Sequence, residues 1–236
     1  MEVEGQLNAA ERRLLTEAIL RESNKVQAVL EVGTWLGGGS TIHILRALEE
    51  NNSGHLWGIE ADESIYQRMI ANIQAAAPEA IARFTPLFGL SQEVIPKWLA
   101  EEGQGFQIDL AFLDGGNNPS EQITEFRLID PYIPLGGILV THDAKLRKGK
   151  WLVPYVSRLD NWESKLHDVS AEGLFFAKKI APDPSSKSLR SARLQLLRMR
   201  FAPAEVAAAI LPAKVCGAVL RLLPRRLALK LGEGRI

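Results

Sequence analysis

The sequence predicts an α/β protein with a doubly wound, seven-stranded, mostly parallel sheet. Short apolar runs rich in β-branched residues alternate with segments of helical periodicity. A glycine cluster follows the first run at residues 33–39, and acidic residues stand just after several other runs. With 236 residues, 46% of them hydrophobic and 24% charged, the chain is long enough for one such domain with a substantial core.

The elements follow one another in a regular order. Residues 7–23 predict an amphipathic helix, because leucine, alanine and isoleucine recur there at helical spacing. Five strands are predicted over residues 25–32, 55–59, 81–88, 108–113 and 137–141. The helices after them are predicted over residues 39–50, 64–77, 91–102, 119–132 and 150–162. Strands that alternate with helices in this way indicate a parallel sheet.

The last two strands are expected to run antiparallel. Residues 165–169 and 174–179 are separated by four residues, which is too short a connection for a crossover helix. They therefore predict a terminal hairpin that closes the sheet. The chain then divides into an N-terminal helix over residues 1–24, an α/β domain over residues 25–181 and a helical C-terminal extension over residues 182–236.

The C-terminal extension is strongly basic. Residues 185–236 hold eleven basic and two acidic residues, so the net charge of +9 there balances −9 in the rest of the chain. Three interpretations stay open: a helical lid or homodimerisation segment, a peripheral membrane contact with acidic lipid, or a solvated appendage. Nucleic acid is not expected, because the arginines are not interleaved with aromatic residues. Residues 206–220 are shorter than the roughly 20 needed to span a bilayer.

The cysteine content predicts a cytoplasmic location. Cys216 is the single cysteine of the sequence, so an internal disulfide framework is excluded and no zinc cluster is indicated. The N-terminal residues lack the basic and then apolar pattern of a signal peptide.

The first βα unit predicts a nucleoside cofactor. Glu31 ends a buried strand, glycines follow it where the chain must turn, and Glu60 ends the next strand, where a carboxylate can accept both ribose hydroxyl protons. A dinucleotide motif needs glycine where Trp35 stands, whereas E-x-G-x-x-x-G suits S-adenosylmethionine, which has no pyrophosphate. The candidate cofactor-binding residues here are Glu31, Gly33, Trp35, Gly37, Gly39, Glu60 and Ala61.

Further candidate site residues stand at later strand tips. Ligands bind doubly wound sheets outside the carboxyl ends of the strands. Asp114 follows the fourth predicted strand and His142–Asp143 follow the fifth. Neighbouring strands would bring two carboxylates and an imidazole together beside the cofactor. Alternatively, Asp114 caps the helix that begins near Pro119.

These segments resemble the class I, Rossmann-like O-methyltransferases of small molecules, related to catechol and caffeoyl-coenzyme A O-methyltransferases and to bacterial sugar and macrolide O-methyltransferases. The resemblance covers residues 26–144 and the hairpin. Its motifs lie at residues 30–37, 59–62, 89–96, 112–114 and 142–143. It implies that Glu31 and the glycine turn bind the methionine end, that Glu60 binds the ribose, and that the segment with Gly89, Ser91 and Gln92 binds the adenine. Asp114 would also border the cofactor.

The resemblance further implies a divalent cation, such as Mg²⁺, held by Asp114, His142 and Asp143. The sequence departs from the family pattern in two places. Asn117 stands where the catechol type has a lysine base, and His142–Asp143 replaces an Asp-Asn pair. His142 is therefore either a ligand for a softer ion or the general base, with Asp143 as the second catalytic residue.

The predicted function is transfer of a methyl group from S-adenosylmethionine to a hydroxyl of a small molecule, a glycoside or secondary metabolite. Two other classes stay open. An NAD(P)-dependent oxidoreductase would bind its dinucleotide without the middle glycine. A non-catalytic protein of the same fold would bind the cofactor or a partner without turnover.

Overall fold

The computed structural model describes residues 3–20 and 26–201 of the chain. Its strands are β1 (Ala28–Val32), β2 (His55–Glu60), β3 (Phe84–Phe88), β4 (Leu110–Leu113), β5 (Ile138–Thr141), β6 (Trp162–His167) and β7 (Leu174–Lys179). Its α-helices are α1 (Ala9–Ile19), α2 (Thr41–Glu50), α3 (Glu63–Ala76), α4 (Ser91–Glu102), α5 (Pro119–Ile129), α6 (Leu152–Val156) and α7 (Ser186–Arg200). Short 3₁₀ segments cover Pro78–Arg83, Asp130–Tyr132 and Lys148–Lys150.

The strands form one sheet in the order β3-β2-β1-β4-β5-β7-β6. Strands β1 to β5 are parallel, and β7 runs antiparallel to both β5 and β6. The strand order reverses between β1 and β4, so the crevice outside their carboxyl ends is where this fold binds ligands. The predicted fold class and the antiparallel terminal hairpin are confirmed.

Hydrophobic clusters cover both faces of the sheet. One face packs against α4, α5, α6 and α7, with Phe126 and Trp162 among its buried side chains. The other face packs against α1, α2 and α3, with Leu15 and Met69 in its interior. Burial on both faces explains why β4 reads as a continuous apolar run and why every residue of β1 is buried, Glu31 included.

Several predicted element bounds were wrong by two residues or more, among them those of β3, α6 and β6. Residues 81–83 continue a 3₁₀ segment rather than β3. The helix predicted over residues 150–162 is only the five residues of α6, because the chain turns into β6 at Trp162. The hairpin strand predicted at residues 165–169 begins three residues earlier and ends at His167. Pairing between Trp162 and Lys179 sets this register, and the partly polar edge strand gave no clear alternation in the sequence.

The N-terminal segment lies across the glycine turn. A Cβ atom added to Gly38 would lie 2.2 Å from the carbonyl oxygen of Val3, and one added to Gly5 would lie 2.2 Å from the backbone of Gly38. Only glycine permits backbones to approach this closely. Part of the glycine cluster therefore accommodates residues of the same chain and not a ligand.

Helix α7 is the described part of the predicted basic extension. Ala192 and Leu196 are buried in the core cluster of α4 to α6, so α7 packs against the α/β domain. The predicted helices around Pro203, Pro212 and Pro224, and Cys216, lie outside the described residues. Within the described ranges, no helix combines the length and apolar character needed to span a membrane.

Candidate active site

A cavity of about 350 Å³ opens at the carboxyl ends of the parallel strands. All five predicted strand tips contribute to its wall. Its lining includes Gly33, Trp35, Glu60, Ala61, Gly89, Ser91, Gln92, Asp114, Asn117 and Asp143. Gln6, Glu125 and Lys148 also line it, and the sequence reasoning had not singled them out.

Glu31 is completely buried in β1 and does not itself line the cavity, although the next two residues, Val32 and Gly33, do. Ser40 donates a short hydrogen bond to Glu31 Oε1, while Oε2 has no hydrogen-bond partner among the described residues. Burial raises the pKa of this carboxyl to about 8, although the hydrogen bond from Ser40 opposes the shift. A buried carboxylate oxygen without a partner fits a cationic ligand group, such as the ammonium of an amino-acid tail.

Glu60 is held rigidly at the end of β2. The backbone N–H of Trp35 donates to Oε2 at 2.9 Å, and those of Ala61 and Asp62 donate to Oε1 at 2.9 and 3.1 Å. These bonds fix the carboxylate beside the cavity and leave further lone pairs for ligand hydroxyls. The geometry fits the ribose contact that the resemblance implies.

The segment predicted to bind adenine is built around a second buried acid. Ser91 donates to Glu125 Oε1 at 2.6 Å, and Glu125 Oε2 has no partner among the described residues. Burial raises the pKa of Glu125 to about 7. Ser91 and Gln92 both line the cavity, so this end offers hydroxyl, amide and carboxyl groups together. Glu125 lies within α5, where no motif marked it in the sequence.

The predicted glycines differ in their positions. Gly33 lies against Gly115, at the junction of the turns after β1 and β4. Gly37 instead faces Ile73 of α3, and Gly39 faces Gln6. Neither of the latter two lines the cavity. Trp35 does line it, and its backbone has φ 46°, a left-handed conformation that is rare outside glycine.

Asp114, His142 and Asp143 converge as predicted. The His142 Nδ1 atom lies 3.2 Å from Asp114 Oδ1 and 3.5 Å from Asp143 Oδ1. Asp114 does not cap α5, because Asn118 is the N-cap residue of that helix. The Glu121 carboxylate accepts from the backbone N–H groups of Asn117 and Asn118. The alternative interpretation of Asp114 as a cap is therefore wrong.

The His142 side chain is buried between carboxylates. Its Nε2 atom faces Glu11 Oε1 of α1 at 3.4 Å, and Glu11 is also buried, with a hydrogen bond from Ser170. Burial opposes protonation of this imidazole, yet the hydrogen bond to Asp114 and the charges of Asp114, Asp143 and Glu11 raise its pKa to about 9. An imidazole that is already protonated at neutral pH cannot accept a proton, which opposes a role as general base.

Asp143 turns the chain toward the cavity. Its backbone has φ 56°, again left-handed, so the carboxylate of Asp143 opens into the cavity while the neighbouring His142 points inward. Asp143 keeps 23% of its side chain exposed, against 4% for His142. Of this consecutive pair, Asp143 is therefore the one that a ligand can contact.

Lys148 is the principal residue that the sequence reasoning missed. Its Nζ atom lies 2.7 Å from Asp114 Oδ1 and 2.8 Å from Asp143 Oδ2, and it donates to the carbonyl oxygen of Asp114 at 2.9 Å. Burial alone would lower the pKa of Lys148, but the charges of Asp114 and Asp143 raise it. For Asp114, burial alone would raise the pKa, whereas Lys148 and His142 lower it. The only signal in the sequence was a lysine five residues after a strand-tip aspartate.

Comparison with known proteins agrees with this fold and site. Residues 30–144 match the model of a family described as methyltransferase domain. No curated protein matches the chain in sequence. Among solved structures, a candidate caffeoyl-CoA O-methyltransferase from Staphylococcus aureus is 18% identical with a TM-score of 0.57, over 75% of this chain and 86% of that one.

Two further neighbours were solved with ligands. An O-methyltransferase from Bacillus cereus in complex with SAH is 18% identical, with a TM-score of 0.57 over 74% of this chain and 82% of that one. The O-methyltransferase TomG from Streptomyces achromogenes, involved in tomaymycin synthesis and solved with SAM, is 16% identical, with a TM-score of 0.56 over 75% of this chain and 82% of that one.

The fold and the matched domain define a class I methyltransferase, which confirms the resemblance that the strand-tip motifs predicted. The solved neighbours, which are named as O-methyltransferases, share this fold at 16–18% identity. These findings support an S-adenosylmethionine-dependent methyltransferase.

Proposed function

We propose that this protein transfers a methyl group from S-adenosylmethionine to a hydroxyl of a small molecule. The observation that carries the proposal is the cavity lined by Glu60, Ser91 and Asp143, with the buried Glu31 directly before its lining residue Val32. The unpaired Oε2 of Glu31 fits the cofactor's ammonium, Glu60 fits the ribose, and Ser91 with Gln92 fits the adenine. When bound, S-adenosylmethionine supplies an electrophilic methyl group on a sulfonium.

We propose that Asp143 contacts the acceptor. Its carboxylate opens into the cavity, so it can accept the hydrogen bond of an acceptor hydroxyl and aim the oxygen at the methyl carbon. The hydroxyl proton passes to this carboxylate as the oxygen–carbon bond forms and the bond between the methyl carbon and the sulfonium breaks. In-line methyl transfer depends mainly on such alignment. His142 and Lys148 both contact this carboxylate and hold it in place. His142 would then be a positioning residue, whereas the sequence had predicted a base or a metal ligand.

Binding of a divalent cation at this site is a separate question that needs its own test. Ligand atoms of Asp114, His142 and Asp143 lie within 4.8 Å of one another, which favours a cation site. The Lys148 ammonium contacts both aspartates, which opposes the binding of a cation between them. The contacts of Lys148 leave little room for a cation, and no step of the proposed reaction requires one.

The cofactor assignment is tested by isothermal titration of the protein with S-adenosylmethionine and with NAD. We expect binding of the sulfonium and none of NAD. Tight binding of NAD alone would instead support the oxidoreductase alternative.

The acceptor assignment is tested by methyl transfer to a panel of hydroxylated glycosides and secondary metabolites. Asp143→Asn keeps a residue that tolerates the left-handed backbone and removes the negative charge. We expect it to abolish turnover while cofactor binding persists, and the exposed Asp183→Asn variant to remain active. An unimpaired Asp143→Asn enzyme would refute the site. Cofactor binding without turnover on any acceptor would favour the non-catalytic alternative.

The roles of the basic extension and the cytoplasmic location also stay proposals. Helix α7 carries five basic and no acidic residues, and its Leu194, Leu197 and Phe201 are exposed on one side. A groove of about 580 Å³ along α7 includes Arg158 and Arg190 and none of the predicted site residues. These features support either contact with acidic lipid or homodimerisation. Co-sedimentation with anionic vesicles and light scattering of the free protein separate the two.

A further inference from the structure

The ammonium group of Lys148 is completely satisfied by one small set of oxygens. Its three N–H donors are matched by Asp114 Oδ1, the Asp114 carbonyl oxygen and Asp143 Oδ2, all at 2.7 to 2.9 Å. Lys148 is 4% exposed. A lysine ammonium offers three donors and no acceptor, so no donor of Lys148 is left for another partner.

The position of this ammonium is the position that a metal ion would take. A divalent cation held by Asp114 and Asp143 must lie between their carboxylates, and the Lys148 Nζ atom already contacts both. The third candidate ligand, His142, directs Nδ1 toward Asp114 and Nε2 toward Glu11. Mg²⁺ also requires near-ideal octahedral oxygen coordination. The described side chains therefore do not fit a divalent cation while Lys148 is in place.

The backbone around Lys148 fixes the ammonium where it is. The backbone of Gly149 lies against Ala144, where an added Cβ atom would come within 2.7 Å of main-chain atoms. The next turn is anchored by Leu152, which is fully buried in the core. Moving Lys148 out of the site would leave His142 as the remaining cationic neighbour of two facing carboxylates, which is unfavourable in a buried setting.

We propose that Lys148 is a built-in cation that replaces the divalent metal at the acceptor end of the site. Its charge neutralises Asp114 and holds the Asp143 carboxylate in the orientation that receives the acceptor hydroxyl. The reaction of this protein then requires no added metal. This inference rests on the proposed function for its catalytic meaning, but its central claim concerns metal binding and is measurable without turnover.

The test is Mn²⁺ binding followed by electron paramagnetic resonance of the full chain. The wild-type protein is expected to leave Mn²⁺ free, whereas Lys148→Ala should gain one site, with affinity higher by about 100-fold or more because a unit positive charge is removed from beside the ion. Adding Asp143→Asn to Lys148→Ala should remove the new site. Lys179→Ala is the matched control, because it also deletes a buried lysine and should gain no site.

Two results of the Mn²⁺ binding experiment would overturn the inference. The first is stoichiometric Mn²⁺ binding by the wild-type protein that Asp143→Asn abolishes. The second is a folded Lys148 variant that gains no site. Lys148→Met, which keeps the length and apolar packing of the stem, serves if the alanine variant does not fold.

Activity supplies an independent readout. Wild-type turnover should be the same in EDTA and in Mg²⁺, while residual turnover of Lys148→Ala should rise when Mg²⁺ is added. Loss of wild-type turnover in EDTA would also overturn the inference. Failure to find any acceptor would count against the proposed function and leave the Mn²⁺ result unaffected.

Discussion

Two lysines of the described chain have buried ammonium groups, and they lie at opposite ends of the parallel strands. Lys148 lies at the carboxyl ends of the parallel strands, between Asp114 and Asp143. Lys179 ends β7 near the start of β5, where it contacts the side chain and carbonyl oxygen of Asp130 and lies 5.6 Å from the centre of the Trp162 ring. Both are 5% exposed or less.

The two lysines differ in the groups that surround them. Lys179 has one aspartate and an aromatic ring, and none of these groups lines the site cavity. Lys148 contacts two aspartates at once, and both of them line the cavity. A single buried ion pair serves packing, whereas an ammonium shared between two carboxylates at a ligand cavity controls their charge and orientation.

The largest expected effect comes from matched methionine substitutions at the two positions. Lys148→Met should lower kcat/KM by about 100-fold or more in metal-free buffer, because a preorganised charge at the reacting end is lost. Lys179→Met should leave kcat/KM unchanged and lower the free energy of unfolding by about 3 kcal/mol, because Asp130 loses its partner. Steady-state kinetics and urea unfolding measure the two effects. Equal losses of activity in both variants would erase the proposed distinction.

The next effect is a pH dependence confined to the Lys148 region. The raised pKa of His142, about 9, contributes stability that is complete below the unfolded value of about 6.5 and is lost as pH rises through 9. The contribution is about 3 kcal/mol, and His142→Gln should remove it. Urea unfolding between pH 6 and 10 measures this, with His167→Gln as control. A steep loss that persists in His142→Gln would assign it to another group.

The smallest effect concerns Glu31, a buried acid with no cationic partner among the residues that the structure describes. Burial raises its pKa to about 8, so its ionisation destabilises the cofactor-free protein progressively from about pH 4.5 to pH 8. Glu31→Gln should therefore be more stable than wild type above this range and bind S-adenosylmethionine about tenfold more weakly, through loss of one charge-assisted contact. Thermal unfolding and calorimetry measure the two. Unchanged affinity would move the methionine end away from Glu31.

The order of strands and the strand tips could be predicted because they depend on local signals. Apolar β-branched runs, glycines and acids at strand ends mark β1 to β5 directly in the sequence. The bounds of β6 could not be predicted, because pairing with β7 sets them and its own residues are partly polar. The short length of α6 could not be predicted for the same reason, because β6 begins at Trp162 and leaves few residues for the helix before it.

The site was predictable where a residue follows a strand and unpredictable where tertiary packing delivers it. Asp114, His142 and Asp143 were found from strand ends, and their convergence follows from the neighbouring positions of β4 and β5. Lys148, Glu125 and Glu11 come from a 3₁₀ segment and two helices, where lysine and glutamate are ordinary surface residues. Only the folded chain shows that all three are buried against the site. Gly37 and Gly39 matched the motif, but neither borders the cavity.

The left-handed backbones of Trp35 and Asp143 have a consequence for laboratory evolution. Each non-glycine residue in this conformation costs about 1 to 3 kcal/mol, which glycine at either position would largely recover. A library screened only for heat resistance should therefore accumulate glycine at position 35, whereas glycine at position 143 would also lose the ion pair with Lys148. The selected variants would be thermally stable but inactive, so a useful screen must select for turnover from the first round.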